Sequence, residues 1–509
     1  MSEGVQPIPP PVISKSEFLY GLQCSKLLWH EINASSQMPK PDPVQQALFD
    51  QGREVGVLAH RMFPDGIRVS NCETNMAEAM TLSREALHSR KPLFEPSFQA
   101  AGGMCRVDIL RPAPRDSWDI IEVKSSTTPK KVHYYDLAFQ RWVLRLAGVK
   151  VRRCFLCLIN PDFVRRGEIE PHEFFVLHDL TPKVSKLSRR LDEDVSIMAD
   201  TIALPQPPDC QIGPYCDAPY ACPIHDKCWD WLPEYNVLDL RRGKRKGFDL
   251  LDRGITLLKD IPCDFELTDD QEIQKKTAVS GKPHTKRRSI AKFLSRLRYP
   301  IHFLDFETFG TAVPLFDGVR PYQQIPFQFS LHILPNATAK PEHIMFLAEG
   351  RGDPRLALMP KLRDSIGSKG SIVAYNAGFE LDRLKECCEA MPQFGNWVKG
   401  LKRRVVDLLD PFRSFAYYHP DQHGSASMKA VLPALTGKGY EGLAIQEGNT
   451  ASLEFLRVTF GDVTETERQR VRRELGEYCG LDTAGMIEIV EELERIAIRR
   501  NIAATIGGA

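Results

Sequence analysis

The stretch IHFLDFETFG, residues 301–310, constrains this chain more than any other. Ile301, Phe303, Leu304 and Phe306 mark a buried strand. Asp305 and Glu307 interrupt it two residues apart, and residues two apart on a strand share one face. Two like charges side by side in an apolar setting are costly unless cations neutralise them. The strand therefore predicts an α/β unit that gathers further ligands around one point. Two later segments offer them. SIVAYNAGFELDRL reads as strand, loop and helix start and carries Asn376 and Glu380, with Asp382 as a fallback acid. EYCGLDTAG places Tyr478 and Asp482 four apart on a helix, hence on one side of it.

At 509 residues the chain exceeds one ordinary core and predicts two or three domains. Residues 1–231 read as a first mixed α/β unit, 232–297 as a charge-dense helical connector, and 298–509 as a second α/β unit. Lys+Arg 67 against Asp+Glu 66 leaves a net charge of +1, so overall charge announces no polyanion. Arg241, Arg242, Lys244, Arg245 and Lys246 still form a basic run, readable as a solvated helix face or as a nucleic-acid-binding surface that contacts phosphates. The N-terminus lacks the apolar core of a signal peptide, and no run of about 18 apolar residues occurs, so a cytoplasmic protein with no membrane partner is expected.

In a reducing compartment, thirteen cysteines are not expected to pair as disulfides. Cys154 and Cys157 in RRCFLCLIN read as buried fillers. Cys216, Cys222 and Cys228 are different: YCDAPYACPIHDKCW spaces them evenly, with five residues in each gap. Regular thiols among prolines suggest a metal. Zinc is the bland choice for such thiols, although structural zinc sites usually space paired ligands two to four apart. Cys24 lies within a predicted helix capped by Ser14 and Glu17, and Cys210, close to the trio, could substitute as a ligand but reads as a bystander.

In WDIIEVKSS, Glu122 and Lys124 share a strand face, and Asp108 lies on the preceding strand of CRVDIL. Two carboxylates and an ammonium there suit a hard divalent cation and an attacking water, although E-x-K on a strand is also common as alternating surface charge. The downstream helix carries Gln140.

These motifs resemble two nuclease families. The order Asp108, hairpin, Glu122-x-Lys124, Gln140 resembles the PD-(D/E)XK superfamily, nearest its RecB-type branch. There one cysteine before the core and three after it hold a 4Fe–4S cluster. The resemblance implies Cys24, Cys216, Cys222 and Cys228 as cluster ligands, Asp108 and Glu122 as metal ligands, and Lys124, Gln140, His60 and Glu95 as further catalytic positions. That branch often places a tyrosine where this chain has Leu144. The second half resembles the DEDD exonucleases of the DnaQ-like, ribonuclease H-like superfamily, in the variant ending Y-x-x-x-D. Asp305, Glu307, Glu380 and Asp482 would hold two magnesium or manganese ions, and Tyr478 would orient the water. Glu380 departs from the usual aspartate. Asp407 matches a structural position, and SMKAVLPAL resembles the helix after it. A bacterial family pairing both domains is implied, with VRPYQQIPFQFSLHIL and YEGLAIQEGNTAS also similar. The expected activity is metal-dependent DNA cleavage at two sites, with an RNA exonuclease, or catalysis at the second site alone, as alternatives.

Overall fold

The computed structural model describes residues 12–69 and 75–498. The proline-rich arm up to residue 11 and the terminal IAATIGGA, which the sequence leads one to expect frayed, lie outside the described residues. The chain is mixed α/β and divides into two compact units: residues 1–231 with 311–322, and residues 232–310 with 323–509. The connector thus groups with the second unit, and a short segment within the second half groups with the first.

Unit 1 opens with β1 (Ile13–Ser14), α1 (Lys15–Gln23) and α2 (Ser25–Asn33). Ser14 and Glu17 form the predicted capping box. Cys24 is not inside one helix: it is an extended residue (φ −161°, ψ 126°) ending α1 and starting α2. Its amide donates to Tyr20 O while its carbonyl accepts from Leu28, so the chain changes direction at a thiol. After α3 (Pro43–His60), β2 (Ile67–Arg68) and α4 (Met76–Ala86) come β3 (Leu93–Phe94), β4 (Ser97–Ala100), β5 (Gly103–Arg106), β6 (Ile109–Ala113), β7 (Ser117–Lys124), α5 (Lys131–Leu146), β8 (Val151–Ile159) and β9 (Phe175–Asp179). Six strands form one sheet in the order β2-β3-β6-β7-β8-β9, and β1-β5-β4 form another.

β7 is central and buried on both faces. Trp118 and Ile120 join Phe18 of α1 and Leu137, Phe139 and Trp142 of α5 in one core. Ile121 and Val123 join Val55, Leu58, Phe94 and Phe174 in the other. Each such side chain contributes about 1.5–3 kcal/mol by leaving water. The period of two fixes the register: Glu122 and Lys124 share the face of Ile120 and so meet α5. Ala312 packs in the second core, its amide donating to Gln51 Oε1 at 3.0 Å. Arg165 Nη1 donates to Pro314 O at 2.7 Å, and the Tyr322 hydroxyl donates to Ser125 O. Segment 311–322 is therefore part of unit 1.

In unit 2, β10 (His284–Thr285) precedes β11 (Ile301–Phe309), β12 (Ile325–Leu334), β13 (Glu342–Leu347), β14 (Ile372–Ala374), β15 (Val405–Asp407) and β16 (Tyr417–Tyr418). The main sheet runs β13-β12-β11-β14-β15, with β11 antiparallel to β12 and parallel to β14. The helix Glu465–Ile498 crosses it. The stretch 232–297 is not a solvated connector. Val237, Leu240, Leu250, Leu258 and Ile261 form their own core, and β10 pairs with β16. KPHTKRR, within the stretch expected to be helical connector, holds that strand before the helix Arg287–Leu294.

Candidate active site

Asp305 and Glu307 stand on β11 just before a register shift at Glu307/Thr308. The helix Glu465–Ile498 brings Cys479 and Asp482 to them. Its position is set by three hydrogen bonds to β12: Gln328 Nε2 donates to Leu475 O at 2.9 Å, and Thr483 Oγ1 lies 2.6 Å from Ser330 Oγ and 2.7 Å from His332 Nδ1. Ligand atoms of Asp305, Glu307 and Cys479 fall within 4.8 Å of one another. Cys479 Sγ donates to Asp305 Oδ2 at 3.8 Å.

Glu380 arrives on the helix Ala377–Ala390, whose preceding residue, Asn376, has φ 68°. Asparagine tolerates that left-handed geometry. Its amide donates to Asp407 Oδ1 at 3.0 Å, and Asp407 also accepts from the Leu409 amide and from Arg413. Asp407 thus holds this loop, in the structural role expected of it. Asp382, the fallback acid, is exposed. Glu380 is 5% exposed, and its Oε2 is buried with no hydrogen-bond partner.

Burial pushes the Asp305 carboxyl well above the usual range, and Asp482, Glu380 and Glu307 add to the shift. Burial and Glu307 raise Glu380 in the same direction, against Arg383. Burial and Asp482 raise Glu307 to about 8, against Lys429. Burial raises Asp482 to about 6, held down by a hydrogen bond from Tyr440 and by Lys429. Burial and the acids push the Cys479 thiol up, and the four carboxylates supply an oxygen donor set. Such a set fits hard divalent cations.

Beside Glu307 lies an open pocket of about 530 Å³, lined by Phe306, Gln324, Phe379, Lys429 and Asn449 among others. Lys429 Nζ stands 5.8 Å from the Tyr440 ring centre and 5.7 Å from that of Tyr478. Burial and Asp482 keep the Tyr478 hydroxyl protonated. Sequence reasoning assigned no role to Cys479, Tyr440 or Lys429. The signals were present: Cys479 adjoins Tyr478, Tyr440 opens YEGLAIQEGNTAS, and Lys429 lies in SMKAVLPAL.

In unit 1, Asp108, Glu122, Lys124 and Gln140 also converge, with two members not assigned from the sequence, Asp136 and Lys15. Lys124 Nζ donates to Glu122 Oε1 and to Asp136 Oδ2, both at 2.6 Å. Gln140 Nε2 donates to Glu122 Oε2 at 2.7 Å and to Asp136 Oδ1 at 2.8 Å. Lys15 Nζ donates to Glu122 Oε1 at 2.8 Å. Asp136 was legible as the residue four before Gln140 on one helix face; Lys15, 107 residues from Glu122, was not. Asp108 stands in the gap between β5 and β6 rather than on a strand, and its Oδ2 accepts from the Val123 amide at 2.7 Å. Burial and Glu122 raise Asp108 to about 8, whereas Lys124 and Lys15 overcome the burial of Glu122 and keep it ionised. Both oxygens of Glu122 and of Asp136 are engaged by ammonium or amide, so the expected divalent ion on Glu122 does not fit this arrangement.

Glu95, at φ 57°, shares a pocket of about 440 Å³ with Lys15, Arg106 and Asp108. His60 ends α3 and stacks on Phe94 with ring centres 4.1 Å apart. Burial, with Arg68, lowers it to about 4. Leu144 is fully buried in the α5 core.

Cys24, Cys216, Cys222 and Cys228 line one small pocket, and Cys210 lines it too. Its sulfur lies 3.2 Å from Ser25 Oγ. Burial, opposed by the Leu27 amide and reinforced by Cys210, pushes the Cys24 thiol up to about 11. None of these cysteines is in a disulfide, and Leu27, Ile224 and Trp229 close around them. Unpaired thiols in an apolar enclosure fit a thiolate-ligated group, Cys154 and Cys157 being buried elsewhere as fillers.

The basic run is divided. Arg241 Nη1 donates to Gly424 O at 3.4 Å and Lys246 Nζ to Glu266 O at 2.6 Å, while Arg242, Lys244 and Arg245 are exposed. Among the described residues no helix is long and apolar enough to cross a membrane.

Residues 302–427 match a domain of unknown function (DUF2779). The chain is similar to the uncharacterized protein MG366 of Mycoplasma genitalium, at 26% identity over 212 residues, 37% of this chain and 31% of that protein. Its homolog in Mycoplasma pneumoniae is 27% identical over 208 residues, with the same shares covered. The chain thus spans about a third of the length of these curated relatives. The matched domain contains Asp305, Glu307, Glu380 and Asp407, and the acid-bearing strand and loop fall within its limits.

Proposed function

We propose that unit 2 is a magnesium- or manganese-dependent exonuclease of the DEDD type, removing mononucleotides from the 3′ end of single-stranded DNA. The observation that carries this reading is the charge imbalance of the Asp305, Glu307, Glu380 and Asp482 cluster. Burial and the neighbouring acids raise Asp305, Glu307 and Glu380, burial alone raises Asp482, one Glu380 oxygen has no partner, and Lys429 is the nearby cation that holds Glu307 and Asp482 down. The order β13-β12-β11-β14-β15, with the first motif on the central strand, supports the ribonuclease H-like reading.

Asp305, Glu307, Glu380 and Asp482 would hold the metal. When bound, it supplies charge neutralisation and activation of an attacking water. Tyr440 orients Asp482 by donating to Oδ1. The Tyr478 hydroxyl, kept protonated, donates a hydrogen bond to a water oxygen. Lys429, at the pocket wall, offers an ammonium to a phosphate. In unit 1, the cysteine pocket would hold a 4Fe–4S cluster through Cys24, Cys216, Cys222 and Cys228, joining the start and end of the unit. The exposed Arg242, Lys244 and Arg245 contribute phosphate contacts.

The test is digestion of 5′-labelled single- and double-stranded DNA and RNA with magnesium, with manganese and in EDTA. Stepwise shortening of DNA by wild type, absent in EDTA and in Asp305→Ala, is expected. Preference for RNA would reassign the polymer, and full-length strands under every condition would overturn the reading.

A further inference from the structure

We propose that Lys15 is the built-in cation of the unit 1 acid cluster. Its ammonium takes the place a divalent ion would hold at Glu122, so unit 1 keeps its acids without metal and does not hydrolyse phosphodiesters. The inference concerns unit 1 and does not depend on the activity proposed for unit 2.

The geometry is specific. Lys15 Nζ lies 2.8 Å from Glu122 Oε1 and 3.5 Å from Asp136 Oδ1. Lys124 Nζ lies 2.6 Å from each of the same two carboxylates. Two carboxylates therefore face two ammoniums, and that group is neutral as it stands. Gln140 takes the remaining oxygens, and the Val123 amide takes Asp108. A divalent ion entering here would have to displace an ammonium from carboxylates that are almost completely buried, with side-chain exposures of 1% and 2%. Leaving Lys15 unpaired at this half-buried position costs the desolvation of a charge.

The chain around Lys15 fixes it there. Ser14 caps α1, and Ile13 and Ser14 run parallel to β5, opposite Gly103 and Met104. Ile13 is fully buried, so the chain leading into the lysine is anchored. Burial opposes the ammonium, yet Asp136, Glu122 and Asp108 outweigh it and hold Lys15 well above the ordinary lysine range. Glu380 in unit 2 shows the opposite condition, a buried carboxylate oxygen with nothing donating to it.

The experiment is Mn²⁺ titration, followed by electron paramagnetic resonance, of full-length protein carrying Asp305→Ala and Glu307→Ala. In that background no manganese site depending on Glu122 is expected. Adding Lys15→Ala should create one site per chain, removed again by Glu122→Gln, with circular dichroism showing the fold retained. A stoichiometric manganese ion in the Lys15-containing protein that Glu122→Gln releases overturns the proposal. So does a folded Lys15→Ala protein that takes up no ion. Should Lys15→Ala fail to fold, the titration of the Lys15-containing protein alone decides.

Discussion

Two acid clusters in this chain are built alike and balanced differently. Each starts from a buried central strand, β7 with Glu122 beside Lys124 or β11 with Asp305 beside Glu307, and completes the set from a helix packed over the sheet. In unit 1 the helix also brings a glutamine, and α1 brings an ammonium, so the charge is cancelled by the chain itself. In unit 2 the helix brings another acid, and the set is left with more negative charge than the chain neutralises. Acidic residues at strand spacing therefore do not define a metal site; what matters is whether buried countercharge already stands among them.

The largest effect expected of this contrast is loss of cleavage in Asp305→Ala. Metal stabilisation is worth several kcal/mol, and each 1.36 kcal/mol is tenfold, so turnover should fall by about 10³ or more. Metal-dependent cleavage that survives Asp305→Ala and disappears with Lys124→Ala would break the comparison, because unit 1 would then be catalytic. Next in size is the cysteine pocket. Protein isolated without oxygen should contain iron near the four atoms of one cluster. Cys216→Ser should lose that iron and lower the melting temperature of unit 1 by about 10 °C, on a scale of about 2–4 °C per kcal/mol. Stoichiometric zinc in the anaerobic protein would overturn the cluster assignment.

A sharper, smaller test is Tyr478→Phe. Removing a water-positioning hydroxyl should slow single-turnover cleavage by about 10- to 100-fold while manganese affinity is unchanged, because the phenol ligates nothing. A matching loss of metal would place the tyrosine among the ligands instead. The smallest effect concerns acid stability. His60 is held at about 4 by burial and Arg68. The unfolded chain, with histidine near about 6.5, takes up the proton first, so this contribution is full above that value and disappears as pH falls towards 4. His133 and His332 are lowered to about 4 by burial in the same way, so His60→Phe should remove only part of the slope of melting temperature between those pH values. An unchanged slope would mean that His60 takes up no proton on unfolding.

Much of both sites was legible because local period and spacing dictate facing. Asp305 with Glu307, Glu122 with Lys124, and Tyr478 with Asp482 needed only strand or helix geometry. That Cys24 shares a pocket with Cys210 and the trio was not readable from spacing, because distance in sequence says nothing of a shared pocket. The break at Cys24 was hidden in a run whose periodicity continues across it, although one extended residue separates two helices. The connector was misread because RRGKRKG is charged on average, yet Arg241 and Lys246 reach backbone carbonyls over a small apolar core.

The sequence by itself determined the strands that carry Glu122 and Asp305, the faces of those residues, the capped start of α1 and the presence of a thiol set, since these follow from periods of 2 and 3.6 residues and from composition. Only the tertiary structure decided which charges meet. Lys15 reaches Glu122, Tyr440 reaches Asp482, and Cys479 reaches Asp305 across 107, 42 and 174 residues of chain. In a buried site the free energy of a charge depends on its immediate neighbours, and sequence separation does not encode who those neighbours are.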